Sequence, residues 1–180
     1  MLIGARDVTA MTQEQVGVYR AIASGPRGDV PYPFLAMLDA PHLADAIQQV
    51  GAAIRYGGEI TDELREIAIL ATAAAFGSGY EWDYHAAIAR RLGMSEERIA
   101  ACSSAEVDEV EAADRAIIRL CRAAVLERRV PPRLLEDLVA AVGRKVASEV
   151  VAISGYYPLL ALFLAAGELD HSIDADRPRG

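Results

Sequence analysis

Hydrophobic residues recur along most of this chain with the spacing of an amphipathic helix, and no segment shows a sustained period of two. Between the first two helical segments, Pro31-Tyr32-Pro33 is predicted as an extended loop. The pattern predicts an all-α fold of about seven or eight helices. The segments predicted to be helical are 12–24, 41–56, 61–76, 80–92, 95–101, 106–128, 131–142 and 144–167.

Several helix ends carry recognisable capping signals. Thr12 and Gln15 have the spacing of a capping box, in which each side chain bonds the backbone N–H of the other. Thr61 is a good N-cap residue for the third segment, and Gly77 and Gly143 are typical residues at helix ends. From these ends we predict a flexible N-terminal arm over 1–11, a helical domain over 12–168 and a polar C-terminal tail over 169–180.

Residues 150–167 carry no charge over a length that can span a bilayer. Ser154, Gly155 and Pro158 lie near the middle of this segment, and no basic loop flanks it as in membrane spans. A helix that is apolar on all sides is also typical of a buried core or a subunit interface. We interpret the segment as a core helix of a soluble protein, partly buried in a homo-oligomer, and expect no membrane partner.

Composition narrows the classes of function. The chain has 180 residues and a formal net charge of −8, whereas a nucleic-acid binder needs a basic surface for phosphates. Cys102 and Cys121 form neither a disulfide framework nor a zinc-ligand spacing. The first residues lack the pattern of a signal peptide. We therefore expect a cytoplasmic protein that does not bind nucleic acid.

Candidate chemistry concentrates at Glu66 and in residues 78–85. Glu66 opens the uncharged run 67–76, where a carboxylate is costly unless it is paired. Glu81 and His85 share one helix face at i, i+4, which fits either an acid–base site in a pocket or an ordinary surface pair. We predict that Glu66, Glu81 and His85 converge within hydrogen-bonding distance, directly or through one water. A simple hairpin places Glu66 and His85 at opposite ends, so we expect convergence to require steeply crossed helices or a subunit contact.

Aromatic residues surround this pair. Tyr80, Trp82 and Tyr84 can wall a pocket for a planar ligand, or can form a core or interface patch.

Together these residues resemble the carboxymuconolactone decarboxylase family of the alkylhydroperoxidase D-like superfamily. The motif is Glu66, then Tyr80-Glu81-Trp82-x-x-His85, an Ala-rich continuation and Leu92-Gly93. The resemblance covers about residues 12–168. Other matching stretches are Phe34-Leu35-Ala36-Met37-Leu38 with Ala40-Pro41, Arg55-Tyr56-Gly57, and Gly143, Glu149 and Gly155-Tyr156-Tyr157.

The resemblance implies an all-helical domain that assembles as trimers or hexamers. In the family's peroxidase branch, a glutamate precedes a Cys-x-x-Cys-x-x-x-His motif. Glu66 and His85 match that branch's proton-relay pair, while Ser78 and Glu81 stand at the two cysteine positions. The chain therefore resembles a branch without the redox cysteines. Thiol peroxidase (peroxiredoxin) chemistry is disfavoured, because it needs a thiolate.

The resulting hypothesis is a cofactor-independent decarboxylase-type lyase, or a related isomerase, acting on a small carboxylated lactone or enolisable ring. His85 is expected to donate the proton, and Glu66 to orient the imidazole and keep it protonated. Glu81 is expected either to share the proton network or to crowd the leaving carboxylate, and Tyr156 or Tyr157 to donate a hydrogen bond to the enolate oxygen. The residues expected to bind the substrate are Arg55, Tyr80, Trp82 and Tyr156.

Two alternatives remain at this stage. One is a non-catalytic ligand-binding or assembly protein of the same fold. The other is a divalent metal ion held by Glu66, Glu81 and His85. The main hypothesis involves neither a metal nor a cofactor.

Overall fold

A computed structural model of the chain describes residues 3–5, 7–26, 28–107, 109–171 and 173. Within these ranges the chain forms eight α-helices, preceded by a short 3-10 helix at Val8–Ala10, and it has no β-strand. The predicted all-α fold is confirmed. The helices are α1 Gln13–Ala23, α2 Tyr32–Ala36, α3 Pro41–Tyr56, α4 Asp62–Phe76, α5 Gly79–Arg91, α6 Glu96–Ala101, α7 Ala112–Leu126 and α8 Pro132–Ala166.

The centre of the fold is α4, which packs against α5, α7 and α8. Every residue from Arg65 to Ala73 is buried, so neighbours surround the middle of this helix on all sides. This explains why residues 67–73 carry no charge, because a solvated face is not available to them. Side chains of Ile67 and Leu70 on α4, Ile117 on α7 and Ile153 on α8 belong to the same hydrophobic core.

The predicted caps are present. Thr12 Oγ1 accepts a hydrogen bond from Gln15 N at 3.3 Å, and Gln15 Oε1 accepts one from Thr12 N at 2.9 Å. Thr61 Oγ1 accepts from the backbone N of Leu64, which caps α4. Gly77 ends α4 with a left-handed φ of 86°, a conformation that costs glycine little.

Two predictions of local structure are wrong, one of a loop and one of a helix start. Residues 32–36 form the short helix α2 rather than an extended loop, because prolines are compatible with the first turn of a helix. The helix expected from residue 106 begins only at Ala112. Ser104 Oγ accepts from the backbone N of Glu106 at 3.1 Å, and such a local side-chain bond competes with helix formation.

Helix α8 combines the two helices predicted for 131–142 and 144–167. The predicted break at Gly143 is a kink with φ 80° and ψ 164° inside the helix. Of the helices in the described ranges, only α8 has the length and apolar composition to cross a bilayer, and 44% of its most apolar window is buried within the chain. Its contacts with α2, α4 and α7 are those of a core helix.

Both ends of the described chain touch the helical domain. Ala5 N donates to the backbone O of Leu35 at 3.0 Å, and the side chain of Leu169 is buried. The predicted division into arm, domain and tail stays a prediction. Most of the tail, residue 172 and residues 174–180, lies outside the described residues.

Candidate active site

Glu66 on α4 and His85 on α5 form a buried pair within one chain. Glu66 Oε2 lies 2.6 Å from His85 Nδ1, and Glu66 is 0% and His85 2% exposed. A subunit contact is not needed to bring the two residues together. Glu66 lies about 15 Å along α4 from Phe76, and His85 lies about 9 Å along α5 from Gly79. An antiparallel pair therefore offsets them by only about 6 Å, so placing them at opposite ends was wrong.

Glu81 lies on the other side of the imidazole, one helical turn before it. Glu81 Oε2 is 3.6 Å from His85 Nε2. This distance is too long for a direct hydrogen bond, and a small shift of either side chain brings the two atoms within bonding distance. Glu81 is 3% exposed. The predicted convergence is thus observed, while the catalytic roles of the three residues stay predictions.

Burial shifts the pKa values of Glu81 and His85 in opposite directions. Burial, together with the nearby Asp170, raises the pKa of Glu81 to about 8, although Arg55 opposes this. Burial lowers the pKa of His85 despite the adjacent Glu66. At pH 7 the Glu81 carboxyl is therefore protonated and the imidazole neutral. The expectation that Glu66 keeps His85 protonated is wrong for this reason.

These protonation states define the hydrogen-bond directions. We assign the ring proton to Nδ1, which donates to Glu66 Oε2, because this leaves Nε2 as an acceptor facing the protonated Glu81. With this assignment the hydrogen bond to Glu66 holds the imidazole in one tautomer, and the orienting role of Glu66 stays a prediction.

Four buried side-chain atoms in the described residues have no hydrogen-bond partner, and all four belong to this cluster. They are Glu66 Oε1, Glu81 Oε1, Arg55 Nε and Arg65 Nε. Buried polar atoms are normally satisfied, so unmet bonding capacity concentrated at one place favours a bound ligand or water.

Arg65 is a member of the cluster that sequence reasoning missed. It is 8% exposed, its Nε lies 3.8 Å from Glu66 Oε1, and its Nη2 donates to Asp62 Oδ1 at 2.7 Å. Its positive charge contributes to lowering the pKa of His85. The only signal in the sequence was its position next to Glu66.

The cluster opens into a cavity of about 250 Å³. Of the predicted substrate-binding residues, Arg55, Tyr80 and Tyr156 line it together with Glu81 and His85. Burial opposes the charge of Arg55, but the proximity of Tyr157 and Glu66 more than offsets this and raises the Arg55 pKa. The remaining lining residues are Pro31, Pro33, Phe34, Tyr56, Tyr84, Ile88, Arg91, Tyr157 and Leu160.

The two tyrosines of α8 differ in their surroundings. Tyr156 donates its hydroxyl proton to the backbone O of Ile47 at 3.0 Å, a structural bond. Tyr157 packs edge to face against His85, with ring centroids 5.1 Å apart. Burial raises the Tyr157 pKa well above its usual value, so its hydroxyl keeps its proton. Tyr157 is therefore a better candidate than Tyr156 for a hydrogen bond to a ligand.

Trp82 does not belong to the lining of this cavity. Its partly buried ring packs against the hydrophobic core, which is the alternative that the sequence left open. The aromatic wall is built by tyrosines. Tyr80 stacks on Tyr32 and on Tyr84, with centroid separations of 5.3 and 6.0 Å.

Both cysteines lie away from the imidazole. Cys102 and Cys121 are buried, and neither lines the cavity. Burial raises the pKa of Cys121 to about 12 and that of Cys102 still further, so both stay thiols. At one of the family's redox positions Ser78 caps α5, its Oγ accepting from Glu81 N at 3.5 Å.

The geometry disfavours the metal alternative. Glu66 and Glu81 face opposite nitrogens of the imidazole, so the three side chains do not point to a common centre. Within the described ranges no group of three or more His, Cys, Asp or Glu residues is arranged to hold a metal ion.

Known proteins show the same fold. The debrominase Bmp8, solved as a cysteine-to-alanine variant with 2,3,4-tribromopyrrole, superposes with a TM-score of 0.74 at 21% identity, covering 97% of this chain and 92% of that chain. An alkylhydroperoxidase AhpD core protein of Ralstonia eutropha JMP134, described as peroxidase-related, gives a TM-score of 0.73 at 18% identity, covering 92% of this chain and 88% of that chain. A protein of unknown function from Agrobacterium tumefaciens gives a TM-score of 0.64 at 16% identity, covering 77% of this chain and 96% of that chain.

No curated protein sequence matches the chain significantly. The family model of the carboxymuconolactone decarboxylase family matches residues 41–124, which include Glu66, Glu81 and His85. This match spans the helices that build the site, so residues 41–124 are similar to the carboxymuconolactone decarboxylase family, and the whole fold is similar to that of the alkylhydroperoxidase AhpD core protein.

Proposed function

We propose that the protein is a cofactor-independent acid–base enzyme of the decarboxylase type, or a related isomerase. Its substrate is a small carboxylated lactone or another enolisable ring. The observation that carries the proposal is the buried relay Glu66–His85–Glu81, which holds a protonated carboxyl at a cavity beside a cation, Arg55.

The cavity supports a small, flat, anionic ligand. Its volume of about 250 Å³ suits a single ring, and tyrosines form much of its wall. Arg55, whose Nε is buried without a partner, can bind a carboxylate. The debrominase Bmp8 has been solved with a flat five-membered ring, which supports a similar ligand shape by analogy of fold.

The proposed reaction starts from a substrate carboxylate on a carbon next to a carbonyl group. The carbon–carbon bond to the carboxylate breaks, carbon dioxide leaves, and the electron pair stays on the ring as an enolate. The Tyr157 hydroxyl donates a hydrogen bond to the enolate oxygen, and such preorganised donors contribute about 3 kcal/mol to transition-state stabilisation. Arg55 orients the substrate.

Proton transfer completes the reaction. The Glu81 carboxyl gives its proton to the enolate carbon and becomes a carboxylate. A proton from water then returns to Glu81 through Nε2 of His85, and Glu66 stabilises the imidazolium that forms in passing. In total, one substrate anion and one proton are consumed. The products are carbon dioxide and the neutral ring, which carries a C–H bond where the carboxylate was. In this scheme His85 relays the proton to Glu81, whereas the sequence predicts it as the direct donor.

The experiment is a turnover assay with a panel of small carboxylated lactones and β-keto acids, measuring carbon dioxide release. We expect release by the wild type and a loss of at least about 100-fold in His85→Gln and Glu81→Gln. Glu96→Gln is the matched control, because it removes an exposed acid that pairs with Arg90 of α5. Ligand binding without turnover supports the non-catalytic alternative instead, and hydroperoxide reduction that depends on a cysteine supports the peroxidase.

We also propose a homo-oligomer, a trimer or hexamer, that buries the outer face of α8. Ala152, Gly155 and Leu162 are exposed there, and residues 150–166 carry no charge. With a net charge of −8 we expect neither nucleic acid nor a membrane as partner, and a cytoplasmic location.

Light scattering tests the assembly. The wild type is expected to give a multiple of 19.3 kDa, and Leu162→Glu a smaller mass. Leu126→Glu changes a residue of similar exposure on α7, 62% against 59%, and serves as the control. A wild-type monomer at micromolar concentration contradicts this proposal.

A further inference from the structure

The segment after α8 returns to cover the first turn of α5. The side chain of Leu169 is 7% exposed and anchors the segment in the small apolar cluster with Ala36 and Leu164. The backbone O of His171 then accepts a hydrogen bond from Gly79 N at 2.8 Å. The C-terminal segment is therefore packed and bonded against the helix that carries the site.

Asp170 makes the central contact. Its Oδ1 accepts from Tyr80 N at 3.0 Å, across 90 residues of sequence, and also from the neighbouring His171 N at 2.9 Å. The first amides of a helix have no partner within the helix itself. Two of those of α5, at Gly79 and Tyr80, thus receive their partners from residues 170–171.

This contact lies beside the site's acid. Tyr80 directly precedes Glu81, whose own backbone N donates to Ser78 Oγ. Whatever holds the amide of Tyr80 also fixes the backbone from which the Glu81 side chain extends. The family match ends at residue 124, so it does not extend to Asp170.

We propose that Asp170 is a positioning residue of the active site: it fixes the first turn of α5 and, through its negative charge, keeps the transferable proton on Glu81. The inference rests on the proposed function for its catalytic meaning, but its physical content is a relation between two side chains.

The charges around Glu81 support this assignment. Asp170 of the C-terminal segment, Glu66 of α4 and Arg55 of α3 are the charged groups near Glu81. The titratable neighbour on α5 itself is His85, which is neutral. Tyr157 of α8 also lies near Glu81 and keeps its proton. After burial, Asp170 is the largest contributor to the raised Glu81 pKa, ahead of Arg55, which opposes it, and Glu66.

Asp170→Asn separates charge from hydrogen bonding. The asparagine oxygen can still accept from Tyr80 N, so the cap is kept and only the negative charge is lost. Asp83→Asn is the matched control. Asp83 lies two residues after Glu81 on the same helix, but it is exposed and pairs with His171 Nε2 at 3.1 Å.

The experiment is an infrared pH titration of the protein without substrate, with the carboxyl band of Glu81 identified by its absence in Glu81→Gln. We expect the Glu81 midpoint to fall by about one pH unit in Asp170→Asn, because a nearby like charge is removed. Asp83→Asn is expected to keep the wild-type midpoint. An unchanged midpoint in folded Asp170→Asn overturns the inference. If that variant does not fold, Asp170→Ser, which also keeps an acceptor, decides by the same criterion.

Activity gives the second readout. The alkaline limb of the pH profile of kcat/KM is expected to move down with the Glu81 midpoint in Asp170→Asn, while the rate at acidic pH is retained. A shifted titration without any turnover refutes the proposed function and leaves the relation between Asp170 and Glu81 standing. Turnover with an unshifted titration supports the proposed function and refutes the relation between Asp170 and Glu81.

Discussion

Two charged clusters contact the first half of α4, a partly exposed one at Glu63 and a buried one at Glu66, and they are built differently. In one, Arg98 of α6 binds both carboxylate oxygens of Asp114 on α7, at 2.6 and 3.0 Å, and reaches Glu63 of α4 at 2.6 Å. In the other, Glu66, His85 and Glu81 share one short hydrogen bond and one longer contact.

The two clusters differ in whether their buried polar atoms have hydrogen-bond partners. Asp114 is 2% exposed, yet no atom of the Arg98 cluster is among the buried atoms without a partner. The hydrogen bond to Asp114 is also the largest cause that raises the Arg98 pKa, so Arg98 stays charged. Satisfied charges of this kind tie three helices together, whereas the Glu66 cluster keeps atoms available for a ligand.

The largest expected effect is on turnover, in the incomplete cluster. His85→Gln is expected to reduce kcat/KM by about 10²- to 10⁴-fold, because the proton path between Glu81 and water is lost. Its melting temperature is expected to stay close to that of the wild type, since the glutamine amide can still donate a hydrogen bond to Glu66 Oε2. Steady-state kinetics and thermal unfolding measure the two quantities. A large loss of stability with normal kcat/KM contradicts the comparison.

The second effect is on stability, in the satisfied cluster. Asp114→Asn is expected to lower the free energy of unfolding by about 3 kcal/mol, because a bidentate charged partner of Arg98 is lost at a buried position. Denaturant unfolding measures this loss. Turnover of the folded fraction is expected to be unchanged, and a loss of turnover at full folding speaks against separate roles.

A pH series sharpens the contrast. In the folded state Glu81 has a pKa of about 8, whereas an ordinary glutamate has a pKa of 4.5. The stability that Glu81 contributes through its bound proton is therefore fully present below pH 4.5 and is lost as the pH rises through 8. His85 acts oppositely, because its lowered pKa costs stability as the pH falls below its usual 6.5. Between about pH 6.5 and 8 the wild type is therefore expected to lose stability, and Glu81→Gln to lose less.

Urea unfolding at several pH values measures this difference. Asp114→Asn provides the reference slope for a variant that leaves Glu81 unchanged. Parallel slopes for the wild type and Glu81→Gln above pH 6.5 contradict the assignment of the proton to Glu81.

The smallest effect is expected at the thiols. Cys102→Ala with Cys121→Ala is expected to keep kcat/KM within about twofold, since neither residue lines the cavity. The free energy of unfolding is expected to fall by about 1 kcal/mol per site, because a small buried group is removed. If the folded double variant loses its activity, thiol chemistry has a role that the geometry of the site does not suggest.

Local signals predicted most of the fold. Caps such as Thr12 and Thr61 and end residues such as Gly77 act within a few residues, so they are legible in sequence. Helix α2 and the late start of α7 were missed, because the first is only five residues long and the second depends on the competing bond at Ser104.

The site was predictable in part. The i, i+4 spacing of Glu81 and His85 and the position of Glu66 before an uncharged run indicated a convergent cluster, and the family resemblance favoured it. Trp82 was misplaced, because an aromatic residue next to a pocket motif can face either the cavity or the core.

The sequence by itself determined an all-helical chain whose three acid–base residues lie at helical positions facing inward, because periodicity and capping are local properties. Tertiary structure alone decided where the proton resides. Burial raises the pKa of Glu81 and lowers that of His85, and Asp170 binds the backbone N of Tyr80, next to Glu81, only because the chain folds back after α8. Desolvation and long-range charge depend on what surrounds a group in space, which neighbours in sequence do not specify.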